Sequence, residues 1–283
     1  MIKNVLITGS GGFVGRNIKK YLEKDFNILS PRSFELNCIS EEAVKKYFKN
    51  NKVDFVIHCA TTGGARGIPD KETTVEDNLK MVNNILHSKD KDVRVILFGS
   101  GAMYGKSKPI CQAKETEIGD FMPEDLYGKS KMLIAQQIKD RKDVVCLNIF
   151  ACYGYNELSS RFPTYAITQN LKHLPIEINQ NVRFDYLFIE DLCKIVKHFI
   201  STQPKNNIIN VTPDKSILLS EIANLVNKIS AYKSEITIKN PILGNEYTGD
   251  NSRLHEEFPE LEFTPMEKGL EKLYNYLKQK DNS

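Results

Sequence analysis

No run of apolar residues in this chain approaches the roughly 20 that a membrane-spanning helix requires. Neither charge dominates: the net charge of +3 is too small to argue for a nucleic-acid or membrane partner. The six cysteines show no C-x-x-C spacing and several fall in apolar strands, so buried reduced thiols are expected rather than disulfides or metal ligands. The five histidines are scattered without a pair at metal spacing, and no metal is expected. His58, inside Val56-Ile57-His58-Cys59-Ala60, reads as a hydrogen-bonded core residue. The sequence opens with Met1 to Ile7 running straight into a strand, with no cleavage region of a signal peptide. The expectation is a cytoplasmic, soluble, metal-free protein.

What is present is alternation. The 283 residues suffice for one large or two fused domains, and 41% hydrophobic with 27% charged residues is an ordinary globular composition. Short apolar runs at Val5-Ile7, Phe26-Leu29, Val53-Ala60, Val93-Phe98 and Val144-Ile149 alternate with amphipathic helical patterns. That pattern predicts an α/β fold: a Rossmann-type doubly wound parallel sheet. After about Tyr155 it loosens, with a strand near Ile208-Val211, a helix carrying Ile222, Leu225, Val226 and Ile229, and a last helix near Met266-Tyr276. We therefore expect a dinucleotide-binding domain over 1–155 and a smaller substrate-binding lobe over 156–283, with some segments returning to the first domain.

Thr8-Gly9-Ser10-Gly11-Gly12-Phe13-Val14-Gly15 lies between the first strand and the first helix. Glycines there permit a tight turn, and the helix N-terminus offers free N–H groups and a positive dipole to phosphate. The spacing Gly9, Gly12, Gly15 departs from G-x-G-x-x-G, because Val14 stands where the last glycine would be. No Gly-Lys-Ser/Thr follows, which excludes a P-loop. At the end of the second strand, Leu29-Ser30-Pro31-Arg32-Ser33 carries no carboxylate but has an arginine. Arg32 suits a 2′-phosphate, so NADP(H) is favoured, with Glu35 close enough to keep NAD(H) open.

Tyr127-Gly128-Lys129-Ser130-Lys131 is one of four Tyr-x-x-x-Lys matches, the others beginning at Tyr104, Tyr274 and Tyr276. Residues four apart meet on a helix. A lysine about 5 Å from a phenol, at an effective dielectric near 20, supplies roughly 3 kcal/mol toward its ionisation, which suits a tyrosine that protonates a carbonyl. Pro123-Glu124-Asp125 fits a first helical turn ahead of Tyr127. Lys108 stands before Pro109, where helical backbone is disfavoured. The Tyr104 copy is therefore expected splayed in a loop, and Tyr274 and Tyr276 are expected to cover a helix face. Ser100 ends the strand before the Tyr127 helix, where open parallel sheets bind ligands.

Together, Thr-Gly-x-x-Gly-Phe-x-Gly, the strand ending in Ser100 ahead of Tyr104-Gly105, and Tyr127-x-x-x-Lys131 resemble the extended short-chain dehydrogenase/reductases that act on nucleotide sugars. Val56-Ala60 resembles the family's fourth strand, Asn78 its helix asparagine, Asn148-Gly154 its Arg-x-Phe-Asn-x-Tyr-Gly segment and Arg183-Asp191 its Arg-Asp-Phe/Tyr segment. The resemblance implies that Ser100, Tyr127 and Lys131 are catalytic: Tyr127 passes the proton, Lys131 supports it and holds the nicotinamide ribose, and Ser100 orients the reacting oxygen. It implies cofactor contacts from Gly9, Gly12, Phe13, Val14, Gly15, Arg32, Ala60 and Lys131, and substrate contacts from Ser100, Ala102 and Arg183. A nucleotide-diphosphate sugar as substrate and a homodimer through the Leu79 and Tyr127 helices are implied too.

Departures from the family pattern narrow the reaction. Gly101-Ala102-Met103 lacks the Asp-Glu pair of sugar dehydratases. GDP-fucose synthases epimerise through a cysteine two places after the serine and a later histidine; here those places hold Ala102 and the histidine-free Ser160-Arg161-Phe162-Pro163. Reduction of a 4-keto-6-deoxy sugar by NADPH is the preferred reading. An NAD-dependent nucleotide-sugar 4-epimerase and a non-catalytic dinucleotide sensor are the alternatives. Asn148 in place of arginine, and the extra residue between Arg183 and Asp185, leave the diphosphate contacts open.

Overall fold

In the computed structural model, which describes residues 2–65 and 67–281, the first half alternates as β1 (Asn4–Thr8), α1 (Phe13–Leu22), β2 (Asn27–Leu29), α2 (Glu41–Asn50), β3 (Phe55–His58), α3 (Thr74–Ser88) and β4 (Arg94–Ser100). A 3₁₀ turn at Gly101–Tyr104 and β5 (Ile110–Ala113) lead to α4 (Leu126–Ile138), β6 (Val144–Ile149) and β7 (Ala151–Tyr153). The rest runs α5 (Phe162–Leu171), β8 (Ile176–Gln180), β9 (Arg183–Phe184), β10 (Tyr186–Phe188), α6 (Ile189–Ser201), β11 (Ile208–Val211) and β12 (Ile217–Leu218). It finishes with α7 (Leu219–Ile229), β13 (Ile236–Asn240), β14 (Tyr247–Gly249), α8 (Ser252–Glu257) and α9 (Met266–Asp281).

The strands β11-β6-β4-β3-β1-β2 form a six-stranded sheet, parallel at every pairing. Side chains alternate across its two faces. Val5 and Ile7 pack into the layer containing α1 and α6, whereas Leu6 packs into the layer of α2 to α4. Each helix is fitted to one layer: α1 buries Ile18 and Leu22, four apart, and α2 begins where the Ser40 side chain accepts the Ala43 N–H. The strand containing Val56 is shorter than its apolar run and is third in chain order, not fourth, because turns fill the chain between Ser30 and Ser40.

β11, late in the chain, pairs with β6 at the edge of this sheet, and α6 packs on α1. Other late strands build small sheets: β8 with β13, β10 with β7, and β12-β9-β14-β5. Phe184, the residue extra to the family pattern, ends β9; the chain changes sheets at Asp185 before β10. Asn148 turns into the core instead of toward a ligand. Its Nδ2 donates to Asn210 Oδ1 at 3.1 Å, and the Tyr104 hydroxyl donates to the same oxygen at 2.8 Å. Asn210 donates in turn to the Ala113 carbonyl and to Glu115.

That network generates one prediction. Asn210→Ala removes the acceptor of the buried Tyr104 hydroxyl and Asn148 amide and lowers stability by roughly 2–4 kcal/mol, read from chemical unfolding midpoints. A second concerns Asp185, which is 1% exposed and accepts the Gly249 N–H at 2.8 Å. Burial first, opposed by that hydrogen bond, pushes its pKa up to about 7. The folded state thus keeps a proton that the unfolded chain releases near pH 4. This contribution is fully present below about pH 4 and lost as pH rises to about 7. Asp185→Asn, which can still accept from Gly249, flattens the fall in melting temperature between pH 4 and 8.

Candidate active site

The order of the sheet reverses beside β1: the chain goes outward to β2, then crosses to β3 on β1's other flank. Crevices at such switch points, beyond the strand carboxyl ends, bind ligands in open α/β sheets. The glycine turn lies there. Gly9 has φ +66°, and a Cβ on it would stand 2.5 Å from the Ala60 nitrogen, so only glycine lets the ends of β1 and β3 approach. A Cβ on Gly15 would stand 2.5 Å from the Gly9 carbonyl oxygen. Gly12, the N-cap of α1, offers no side-chain cap, leaving the first N–H groups of the helix for a ligand. A cavity of about 610 Å³ opens here, lined by Gly9, Gly12, Phe13, Val14, Gly15, Arg32 and Ala60 among others. All the sequence-selected cofactor residues except Lys131 meet in it. Glu35, the competing carboxylate, accepts the Arg32 backbone N–H at 2.7 Å and so closes its own turn. An uncapped helix N-terminus, a glycine cradle and a guanidinium together fit a dinucleotide with an added phosphate.

A second cavity of about 600 Å³ shares Phe13, Val14, Cys59 and Thr61 with the first and contains Ser100, Tyr127 and Lys131. The helix bearing the pair starts one turn later than expected: Asp125 is its N-cap, accepting the Gly128 N–H at 2.7 Å, and Pro123 and Glu124 precede it. Four residues apart on α4, Lys131 Nζ stands 5.4 Å from the Tyr127 ring centre. The Lys131 ammonium is buried and donates to the Phe98 carbonyl at 2.9 Å. Beneath it, His58 bonds through Nδ1 to the Thr8 hydroxyl at 2.7 Å. Burial, then the Lys131 charge, pushes the His58 pKa down to about 3, so the ring is neutral. Ser100, at the end of β4, accepts the Ala102 N–H at 3.2 Å.

Two supports come from outside the α4 motif. Asn78 on α3 donates to Ser130 Oγ at 2.9 Å and exchanges bonds with the backbone of Thr62; Ser130 in turn donates to the Tyr127 carbonyl. Asp70 accepts the N–H groups of Tyr127 and Gly64, each at 2.8 Å. Gly64, at φ +72°, lies so close to the Tyr127 ring that a Cβ would come within 2.9 Å of its carbons. No spacing in the sequence links Asp70 to Tyr127, 57 residues away.

The other Tyr-x-x-x-Lys copies separate as geometry requires, with one correction. Tyr104 is buried on the 3₁₀ turn rather than splayed in a loop, because its hydroxyl finds Asn210, while Lys108 sits over the Phe121 ring at 4.4 Å. On α9, the Tyr274 hydroxyl meets that of Ser230 and the Tyr276 hydroxyl donates to Asn156, away from the glycine turn. Two proposed substrate contacts stand apart from the cavity lining: Ala102 is buried in the 3₁₀ turn, and Arg183 points its guanidinium toward Ser216 at 3.4 Å. Arg161, at the start of α5, does line the cavity. Among the described residues no cluster of histidine, cysteine or carboxylate side chains could hold a metal, and no helix is long and apolar enough to cross a membrane.

Known proteins share this architecture. A GDP-L-colitose synthase of Yersinia pseudotuberculosis is 26% identical over 310 residues, spanning 98% of this chain and 99% of the relative. Among solved structures, a GDP-mannoheptose C4 reductase of Campylobacter jejuni with NADP bound superposes with a TM-score of 0.81 at 19% identity, covering 98% of each chain. A GDP-D-glycero-L-gluco-heptose synthase of the same organism, solved in the presence of NADPH, reaches 0.84 at 20% identity, again over 98% of each chain. Residues 5–212, from β1 through β11 with the glycine turn, Ser100, Tyr127 and Lys131 inside them, match the model of the NAD dependent epimerase/dehydratase family, and the chain belongs to that family.

Proposed function

We propose that this protein is an NADPH-dependent reductase of a 4-keto sugar carried on a nucleoside diphosphate, with GDP as the nucleotide. The observation that carries this reading is the placement of Ser100, Tyr127 and Lys131 in one cavity continuous with the glycine turn and Arg32. The GDP-colitose synthase relative and the neighbouring GDP-heptose enzymes support the nucleotide, and the NADP of those neighbours supports the cofactor. Segment 1–155 then serves the dinucleotide and 156–283 the sugar nucleotide, with α6 and β11 returning to the sheet. A homodimer through α3 and α4 belongs to the same reading.

The glycine turn and Arg32 would hold a nicotinamide dinucleotide, which would supply the hydride for the sugar carbonyl carbon. Tyr127 gives its hydroxyl proton to the carbonyl oxygen as negative charge develops there. Lys131, fixed by the Phe98 carbonyl, keeps a positive charge beside the phenolate so formed, and neutral His58 adds no competing cation. Ser100 donates a hydrogen bond to the same oxygen. Inverting a carbon next to the ketone would need an additional acid and base. Ala102 supplies neither, and the start of α5, Ser160-Arg161-Phe162-Pro163, carries no histidine. Reduction without epimerisation is the chemistry this wall of the cavity supports.

Tyr127→Phe is expected to lower kcat about 10²- to 10⁴-fold while leaving the NADPH-induced thermal shift in place; a kcat within tenfold of the parent would refute the assigned proton donor. Arg32→Ala should raise KM for NADPH about tenfold or more and leave KM for NADH unchanged, since a 2′-phosphate contact is lost. Tightly held NAD in the purified protein would instead favour a 4-epimerase.

A further inference from the structure

A diphosphate bound out of bulk water needs cations or N–H donors around its oxygens. The family pattern points to Arg183 for that contact, but β9 turns it elsewhere. Consecutive side chains on a strand face opposite ways. Arg183 stands apart from the cavity with its guanidinium toward Ser216 at 3.4 Å, whereas Phe184 lines the cavity. The Phe184 ring packs 5.5 Å from Tyr186 and 5.8 Å from Tyr247, so this stretch of the lining is aromatic.

Among the described residues, the cations that line the cavity are Lys106, Lys131 and Arg161. Lys131 is engaged with the Phe98 carbonyl beside Tyr127, and Lys106 Nζ stands 3.7 Å from Asp125 Oδ2. Arg161 is exposed, and no hydrogen bond or ion pair among the described residues holds its guanidinium. Glu157, four residues earlier, instead accepts the Thr164 N–H at 3.2 Å and the Thr164 hydroxyl at 2.5 Å. Burial, opposed by those bonds and by the Arg161 charge, pushes the Glu157 pKa up to about 7, which makes it a weak competitor near neutrality. Arg161 lines the cavity of Ser100 and Tyr127 and not that of the glycine turn. We propose that Arg161 binds the diphosphate of the substrate, taking the part that the family pattern gives to Arg183. This rests on the reading of the substrate as a GDP-linked sugar. A guanidinium offers two parallel N–H donors to one phosphate, a fit that a lysine lacks.

Calorimetric titration of free GDP into the NADP-saturated protein tests it, on the parent, Arg161→Gln and Arg183→Gln. Arg161→Gln should weaken GDP about tenfold or more and make the affinity fall less steeply with added NaCl, because a charged contact to phosphate is gone. Arg183→Gln should bind GDP within about twofold of the parent. With a GDP-linked 4-keto sugar, Arg161→Gln should raise KM about tenfold or more and change kcat less than about threefold, as expected for a contact made equally before and during the reaction. Its NADPH-induced thermal shift should match the parent's, since Arg161 stands outside the dinucleotide cavity. A GDP affinity within about twofold of the parent, even beside a raised KM, overturns the proposal and leaves the reductase standing. An unchanged salt dependence, or an Arg183→Gln loss as large as that of Arg161→Gln, overturns it too. A parent that binds no GDP overturns this inference and the choice of nucleotide together. Should Arg161→Gln fold poorly, Arg161→Lys keeps a charge without the fork and should still weaken GDP about threefold or more; unchanged binding overturns the proposal.

Discussion

The buried ammonium of Lys131 is the constraint around which the site is arranged. A buried charge is costly unless it is hydrogen-bonded, and Lys131 meets that need at the Phe98 carbonyl, on β4 close to its carboxyl end. That bond ties α4 to the sheet, alongside its packing on α3 and β4. Tyr127, one turn earlier on the same helix, lines the same cavity as Ser100. The same charge reaches His58 and, with burial, keeps its ring neutral and bonded to Thr8. The Asn78–Ser130 and Asp70–Tyr127 bonds then hold the helix from the loop side. Rotating α4 by a fraction of a turn would break these bonds together.

Features written in neighbouring residues were legible before any coordinates. The glycine turn, the i to i+4 pair and the short apolar run of β1 each follow from neighbouring residues, and the parallel sheet bears out the fold they implied. Pro109 rightly separated Tyr104 from Lys108. It carried no hint that Tyr104 would be buried, because the acceptor that holds it, Asn210, is 106 residues away. Asp70 was invisible for the same reason: its partners are set by how the loop before α3 folds back over α4. Asn148 illustrates the reverse case. Its position in a family segment suggested the ligand, yet within β6 its side chain faces the buried network with Asn210.

The chemistry of the cavity depends as much on where residues point as on which they are. Ala102 sits inside the 3₁₀ turn with its N–H on Ser100, so the position contributes to the serine's geometry and offers nothing to a sugar carbon. Arg161, at the start of α5, also lines this cavity.

The late return of β11 to the edge of the main sheet has a consequence for engineering. The α5, β8, α7 and β13 elements pack together, but α6 and β11 come between β8 and α7 in the chain and belong with α1 and β6. A lobe transplanted from a relative to change sugar preference therefore cannot be cut as one continuous cassette. It has to be exchanged as two pieces, with the intervening helix and strand left as the recipient's own.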